Sequence, residues 1–252
     1  MKKRELILIA ILTVLIAFMD ISGIPSALFF YIQIADIEPV YFSLMINFMM
    51  IGVIAFLYLK FMCPDWKLGL GKDGLAGGLK KYGVVGISVA LAGFVAFFVG
   101  LFPFDNHSSM AKVIVEGVVY YVGVAIIEEL YVRGLLLRLI EKMFAKRKNS
   151  TLIAVVSSAV IFGLGHIFGT LGQPLLVIVS KVVWTVCMGI FFGMVYKKTE
   201  NLWVPIIFHF LTNVCALPYQ FSSISGYANI TLYIIVPVYI VLGIYSIFEL
   251  KG

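Results

Sequence analysis

Two adjacent glutamates, Glu128 and Glu129, and an arginine at position 133 interrupt an otherwise apolar stretch of this chain. Successive residues of a helix point about 100° apart, so the two carboxylates cannot share a face. Glu129 and Arg133 stand four apart and can form a charge-assisted pair. Glu128 then has no partner on its own helix. A carboxylate so placed in low dielectric can exchange a proton near neutral pH, as a general base must. Two further polar sites lie in later apolar stretches. One runs from Phe162 to His166 and contains Gly163 and Gly165. The other runs from His209 to Asn213, again four apart and so on one face. Taken singly, each reads as an ion pair or an interhelical hydrogen bond. Taken together, they could line one wet cavity with a base, two imidazoles and an amide. Sharing it lowers the cost of burying each group.

These residues must be positioned by membrane helices. Of the 252 residues, 62% are hydrophobic and 13% charged, too little polar surface to cover a soluble core of that composition. The mean hydropathy is +1.07. A helix crosses the hydrocarbon with about 20 apolar residues. Eight stretches qualify: 6–24, 40–61, 82–102, 113–135, 151–168, 174–196, 202–217 and 230–248. They are continuous rather than alternating, which argues against a membrane barrel. The first lacks a small-residue cleavage site and reads as an uncleaved helix. Cys63, Cys187 and Cys215 are far apart and form no framework.

The basic residues sort by loop. They precede the first stretch (Lys2, Lys3, Arg4), lie between the second and third (Lys60 to Lys81) and between the fourth and fifth (Arg138 to Lys148). Others lie between the sixth and seventh (Lys197, Lys198) and at Lys251. The alternate loops are almost devoid of Lys and Arg. This pattern predicts an all-α polytopic membrane protein of about eight transmembrane helices with both termini cytoplasmic, forming one transmembrane domain over 1–252. It also accounts for the net charge of +6 without nucleic acid as a partner. Membrane lipid is the expected partner, with anionic lipid contact plausible at Lys142–Lys148. The stretch 63–81 reads as a cytoplasmic loop, with Trp66 as an interfacial anchor. Lys112 and Glu116 are expected to neutralise each other at i,i+4. Lys181 is expected to snorkel to the interface.

The order Glu-Glu-x-x-x-Arg, Phe-x-x-x-His and His-x-x-x-Asn, each in its own hydrophobic segment, resembles the CAAX protease and bacteriocin-processing (CPBP, or Abi) family of intramembrane peptidases. Here the motifs are Glu128 to Arg133, Phe162 to His166 and His209 to Asn213, and Gly134 also fits. The resemblance spans a core of about 113–217. It implies a cavity inside the membrane and a glutamate-activated water that hydrolyses a peptide bond of a hydrophobic or lipid-modified peptide or protein. By position, Glu128 resembles the general base and Glu129 with Arg133 its orienting pair. His166 resembles an assistant to the water or to the base, and His209 and Asn213 the donors to the oxyanion. The i,i+4 pairing of Glu129 agrees with that division.

Zinc is the alternative to a metal-free site. Glu128, His166 and His209 could supply three ligands. However, no HExxH is present, and a bound metal would make a glutamate base less necessary. The expectation is therefore no cofactor. The compact chain with short loops suggests a bacterial cell membrane. Two non-hydrolytic functions compete: a self-immunity or scaffold protein of the same family, and a proton-coupled carrier using Glu128 as a relay. The carrier is disfavoured because no internal symmetry is visible.

Depth along the helices strains this site. His166 lies about 22 Å along its stretch and His209 only about 10 Å along its own, both running outward. Glu128 lies about 22 Å inward from Val113.

Overall fold

The computed structural model describes residues 34–224 and 228–251, with Ile7, Ala10, Ile11 and residues 13–15. Lys2, Lys3, Arg4 and most of the expected first span, 6–24, lie outside the described residues. Among those described, seven helices are long and apolar enough to cross a membrane. Backbone groups in hydrocarbon must be satisfied within the segment, so continuous apolar runs become helices. They are α1 (Pro39–Met62), α2 (Leu75–Gly100), α3 (Met110–Met143), α4 (Ser150–Gly165, a span that continues to Thr170), α5 (Leu175–Thr199), α6 (Trp203–Val214, a span that continues to Phe221) and α7 (Asn229–Lys251). Short 3-10 turns, Phe168–Thr170 and Leu217–Phe221, follow α4 and α6. The chain is an all-helical, multi-pass membrane protein.

Helix α3 is α-helical over Tyr120–Glu129 and π-helical over Val113–Val119 and Leu130–Leu137. The first π segment overturns the Lys112–Glu116 pair. A π turn brings i and i+5 together rather than i and i+4. Lys112 instead meets Glu38 at 3.2 Å. Glu116 is buried and accepts from the Glu38 N–H at 2.9 Å and from Gln220 Nε2 at 3.1 Å.

Lipid tails drive helix association weakly, so small residues that permit close packing decide which helices meet. The α4–α5 hairpin shows this. A Cβ at Gly163 would crowd the Val182 carbonyl at 3.1 Å, and one at Gly189 would meet Ala159 at 3.0 Å. Farther along, Gly193 faces Val155. Gly165, two residues from Gly163, has nothing within 4 Å of its Cβ position. Gly163→Leu is therefore expected to separate the hairpin and cost about 1–3 kcal/mol by overpacking. Gly165→Ala should be neutral. Thermal melting of both variants in one detergent checks the contrast; a Gly163→Leu protein that melts like wild type would contradict it.

The loop between α1 and α2 is fastened rather than splayed on a membrane surface. Asn201 is fully buried and donates through Nδ2 to the Gly71 and Asp73 carbonyls, both at 2.8 Å. Gly69, at φ +71°, lies against the Glu200 carbonyl, where a side chain has no room. Trp66 is not an interfacial anchor: it is buried with Leu59 and Leu139, and the Lys142 ammonium sits 4.8 Å from its ring. An aromatic ring that can enter a core under a loop gains more burial than one left at an interface.

The two ends of the bundle differ in charge. One end carries Lys81 on Glu249 at 2.8 Å and Lys197 on Glu141 at 2.9 Å. The other carries Asp105, whose carboxylate accepts from the Ser223 N–H and hydroxyl at 2.8 and 2.7 Å. These bonds hold the Asp105 carboxyl below its ordinary range.

Candidate active site

The α-helical part of α3 delivers both glutamates and then yields to the second π segment, which carries Arg133. The expected Glu129–Arg133 pair is present, with Arg133 Nη1 donating to Glu129 Oε1 at 2.9 Å. Both side chains are fully buried. The guanidinium also donates from Nη2 to the Gly189 carbonyl of α5 at 3.0 Å. It lies over the rings of Phe162 and Phe192, 5.2 and 5.5 Å from their centroids. Arg133 thus ties α3 to both arms of the α4–α5 hairpin, and Gly189 lets α5 come close enough to be reached.

Helix α6 inserts His209 against this pair. Its Nδ1 stands 2.9 Å from Glu129 Oε1, and its Nε2 stands 3.5 Å from Glu128 Oε2. The ring stacks on Phe192 with centroids 5.1 Å apart. An ionised carboxylate only accepts hydrogen bonds, so Nδ1 carries the proton that faces Glu129. Nε2 is then the atom His209 turns toward Glu128. The charge balance is simple: two carboxylates face one guanidinium and, when His209 is an imidazolium, a second cation. Glu128, which the sequence left without a partner on its own helix, has His209 across the helix interface.

His166 closes α4. Its Nδ1 lies 2.9 Å from the Phe162 carbonyl. A carbonyl accepts only, so Nδ1–H donates and Nε2 is left as an acceptor. The His166 ring is 4.6 Å from Phe162, whose other side lies 6.2 Å from His209. Phe162 thus neighbours both imidazoles, and His166 and His209 line one cavity despite the depth difference that straight helices imply.

Glu128, His166, His209 and Asn213 all line one cavity of about 570 Å³. That is the size of a pocket for a small organic molecule or a short peptide. Glu129 and Arg133 do not line it. The three motifs therefore separate into four residues at the cavity surface and a buried ion pair behind them. Among the described residues, no three His, Cys, Asp or Glu side chains are grouped as a metal ion requires. As they stand, the donors do not fit a metal.

Several cavity residues escape a reading by motif. Lys181 lines the cavity, half-buried, its ammonium 4.8 Å from the Trp184 ring. Snorkelling alone describes it incompletely. Thr212 donates to the His209 carbonyl at 2.8 Å and lies 4.0 Å from Met188 Sδ. The Gly189 carbonyl had no side-chain signal at all; the spacing of Gly189 and Gly193 was its only trace.

Residues 110–215 match the family model described as type II CAAX prenyl endopeptidase Rce1-like, the CAAX protease family that the three motifs resemble. The matched stretch contains every residue of those motifs. No curated protein and no solved structure matches the chain.

Proposed function

From the Rce1-like match and this geometry, we propose that the protein is an intramembrane endopeptidase that hydrolyses a peptide bond with a water activated by Glu128. One observation carries the reading. The Arg133 guanidinium and the His209 Nδ1–H both hold the same oxygen of Glu129, while Glu128 reaches the cavity. Of two adjacent carboxylates, one is built into the wall and the other meets the substrate space.

In the proposed step the Glu128 carboxylate takes a proton from water, and His166 Nε2 accepts the water's other hydrogen bond. The oxygen attacks the peptide carbonyl. His209, as an imidazolium, donates from Nε2 to the developing oxyanion, with the Asn213 amide as second donor. Glu128 then passes its proton to the leaving nitrogen, the C–N bond breaks to give a carboxylic acid and an amine, and the acid's proton, the second from the water, moves to the amine to leave a carboxylate and an ammonium. Donors held in place in the low dielectric of a membrane interior stabilise such charge more than they would in water.

The cavity walls include Phe97, Tyr120, Tyr121 and Trp184, which suit a hydrophobic or lipid-modified peptide; a prenylated one agrees with the matched family's name. Comparative peptidomics of membranes holding wild type or Glu128→Gln tests the reading. A peptide product present with wild type and absent with the variant is expected. Identical peptide profiles would overturn the assignment and favour a non-catalytic immunity or scaffold function.

A further inference from the structure

The cavity and the basic residues occupy opposite halves of the bundle. The cavity wall is drawn from the first turns of α1 (Val40, Tyr41), from the turn after α4 (Gly169), from the first half of α5 (Lys181) and from just past the end of α6 (Ala216). These positions lie toward the end of the bundle that carries Asp105. Glu128 and His209 form its deep end. Among the described residues, none from the loops at the basic end, 63–74, 144–149 and 200–202, lines it. Between the site and that end the chain is tightly packed: Leu135, Leu137, Phe191, Met194, Val204 and Phe208 are each at most 1% exposed. Side chains packed to that density leave no passage for a peptide.

Orientation follows from charge. Lys and Arg residues flanking membrane helices are retained on the cytoplasmic side. Here the end that carries Lys60, Lys67, Lys72, Lys80 and Lys81 also carries the cluster from Arg138 to Lys148 and the pair Lys197 and Lys198. The opposite end carries Asp36, Glu38 and Asp105 with Lys112.

We propose that the cavity opens on the non-cytoplasmic face of the membrane, and that the protein takes peptide segments presented from that face. The direction of opening rests on geometry and charge alone. The word peptide rests on the hydrolytic reading above. The substrate class is accordingly an apolar or lipid-bearing segment already exposed beyond the cytoplasmic side, such as the membrane-embedded end of an exported chain. A segment still held in the cytoplasm would meet the packed end of the bundle.

Cysteine labelling of the full chain in sealed vesicles tests the opening. Cys63, Cys187 and Cys215 are first replaced by Ala. Single cysteines are then placed at the cavity mouth by Gly169→Cys or Val40→Cys, and at the basic end by Lys148→Cys. Gly169 is exposed and its Cβ position has nothing within 4 Å; Val40 and Lys148 are exposed. A membrane-impermeant charged maleimide is added to right-side-out and to inverted vesicles. The two mouth variants are expected to label in right-side-out vesicles and lose labelling in inverted ones, and Lys148→Cys to do the reverse. Mouth labelling in inverted vesicles, in both preparations or in neither overturns the proposal. Because labelling needs no turnover, this outcome is independent of whether detergent-solubilised protein hydrolyses a peptide.

Discussion

Glu128→Gln is expected to remove hydrolysis while leaving the protein folded and in the membrane. The amide keeps the shape of the side chain but cannot take a proton from water. Positioned acid–base groups contribute roughly 10²–10⁴-fold to rate, and kcat should fall by about that factor with KM little changed. Glu128 reaches the cavity and its side chain is 19% exposed, and Gln keeps its volume, so the stability change should be small beside that of Arg133→Met. Turnover of a product peptide found by comparative peptidomics, measured beside a melting curve, checks both halves. Full turnover by Glu128→Gln would remove Glu128 as the base. Rescue of a deletion phenotype by Glu128→Ala would point instead to a non-catalytic role.

Arg133→Met should produce the largest loss of stability. Arg133 is among the largest fully buried side chains, and it contacts Glu129, the Gly189 carbonyl and the Phe162 and Phe192 rings. Removing one partner of a buried ion pair leaves the other without compensation, at about 3–5 kcal/mol. Met fills much of the volume, so the loss reflects charge and hydrogen bonds more than a cavity. The double variant Glu129→Gln/Arg133→Met removes the stranded carboxylate as well, and it should melt higher than Arg133→Met alone. A single variant that melts with wild type would mean that the pair contributes nothing to the fold. Activity should fall in the double variant, which replaces the carboxylate that fixes the His209 Nδ1 proton, and in the single variant that carboxylate loses the guanidinium that holds it.

Local relations were the legible ones. The Glu129–Arg133 pair could be read because both residues sit on one helix four positions apart, a distance that helical geometry dictates. The same rule failed at Lys112 and Glu116, where a π segment intervenes and no residue type announces it. Trp66 failed differently. Its amphipathic ring suits an interface, but a loop fastened by Asn201 gave it a core to enter. His209 and Asn213 were visible as one helix face, yet nothing local said that His209 would meet both glutamates.

The sequence by itself determined the membrane class, seven of the eight expected spans within a few residues at most of their ends, and the three polar interruptions. Hydrocarbon forces each span to satisfy its own backbone, so composition and length suffice for these. Only the tertiary structure decided that His209 joins Arg133 on Glu129 and that Glu128 meets the cavity. It also decided that Gly189 lends a carbonyl to Arg133 and that Lys181 joins the cavity wall. Those features depend on contacts between helices far apart in the chain, set by where small residues let the helices approach.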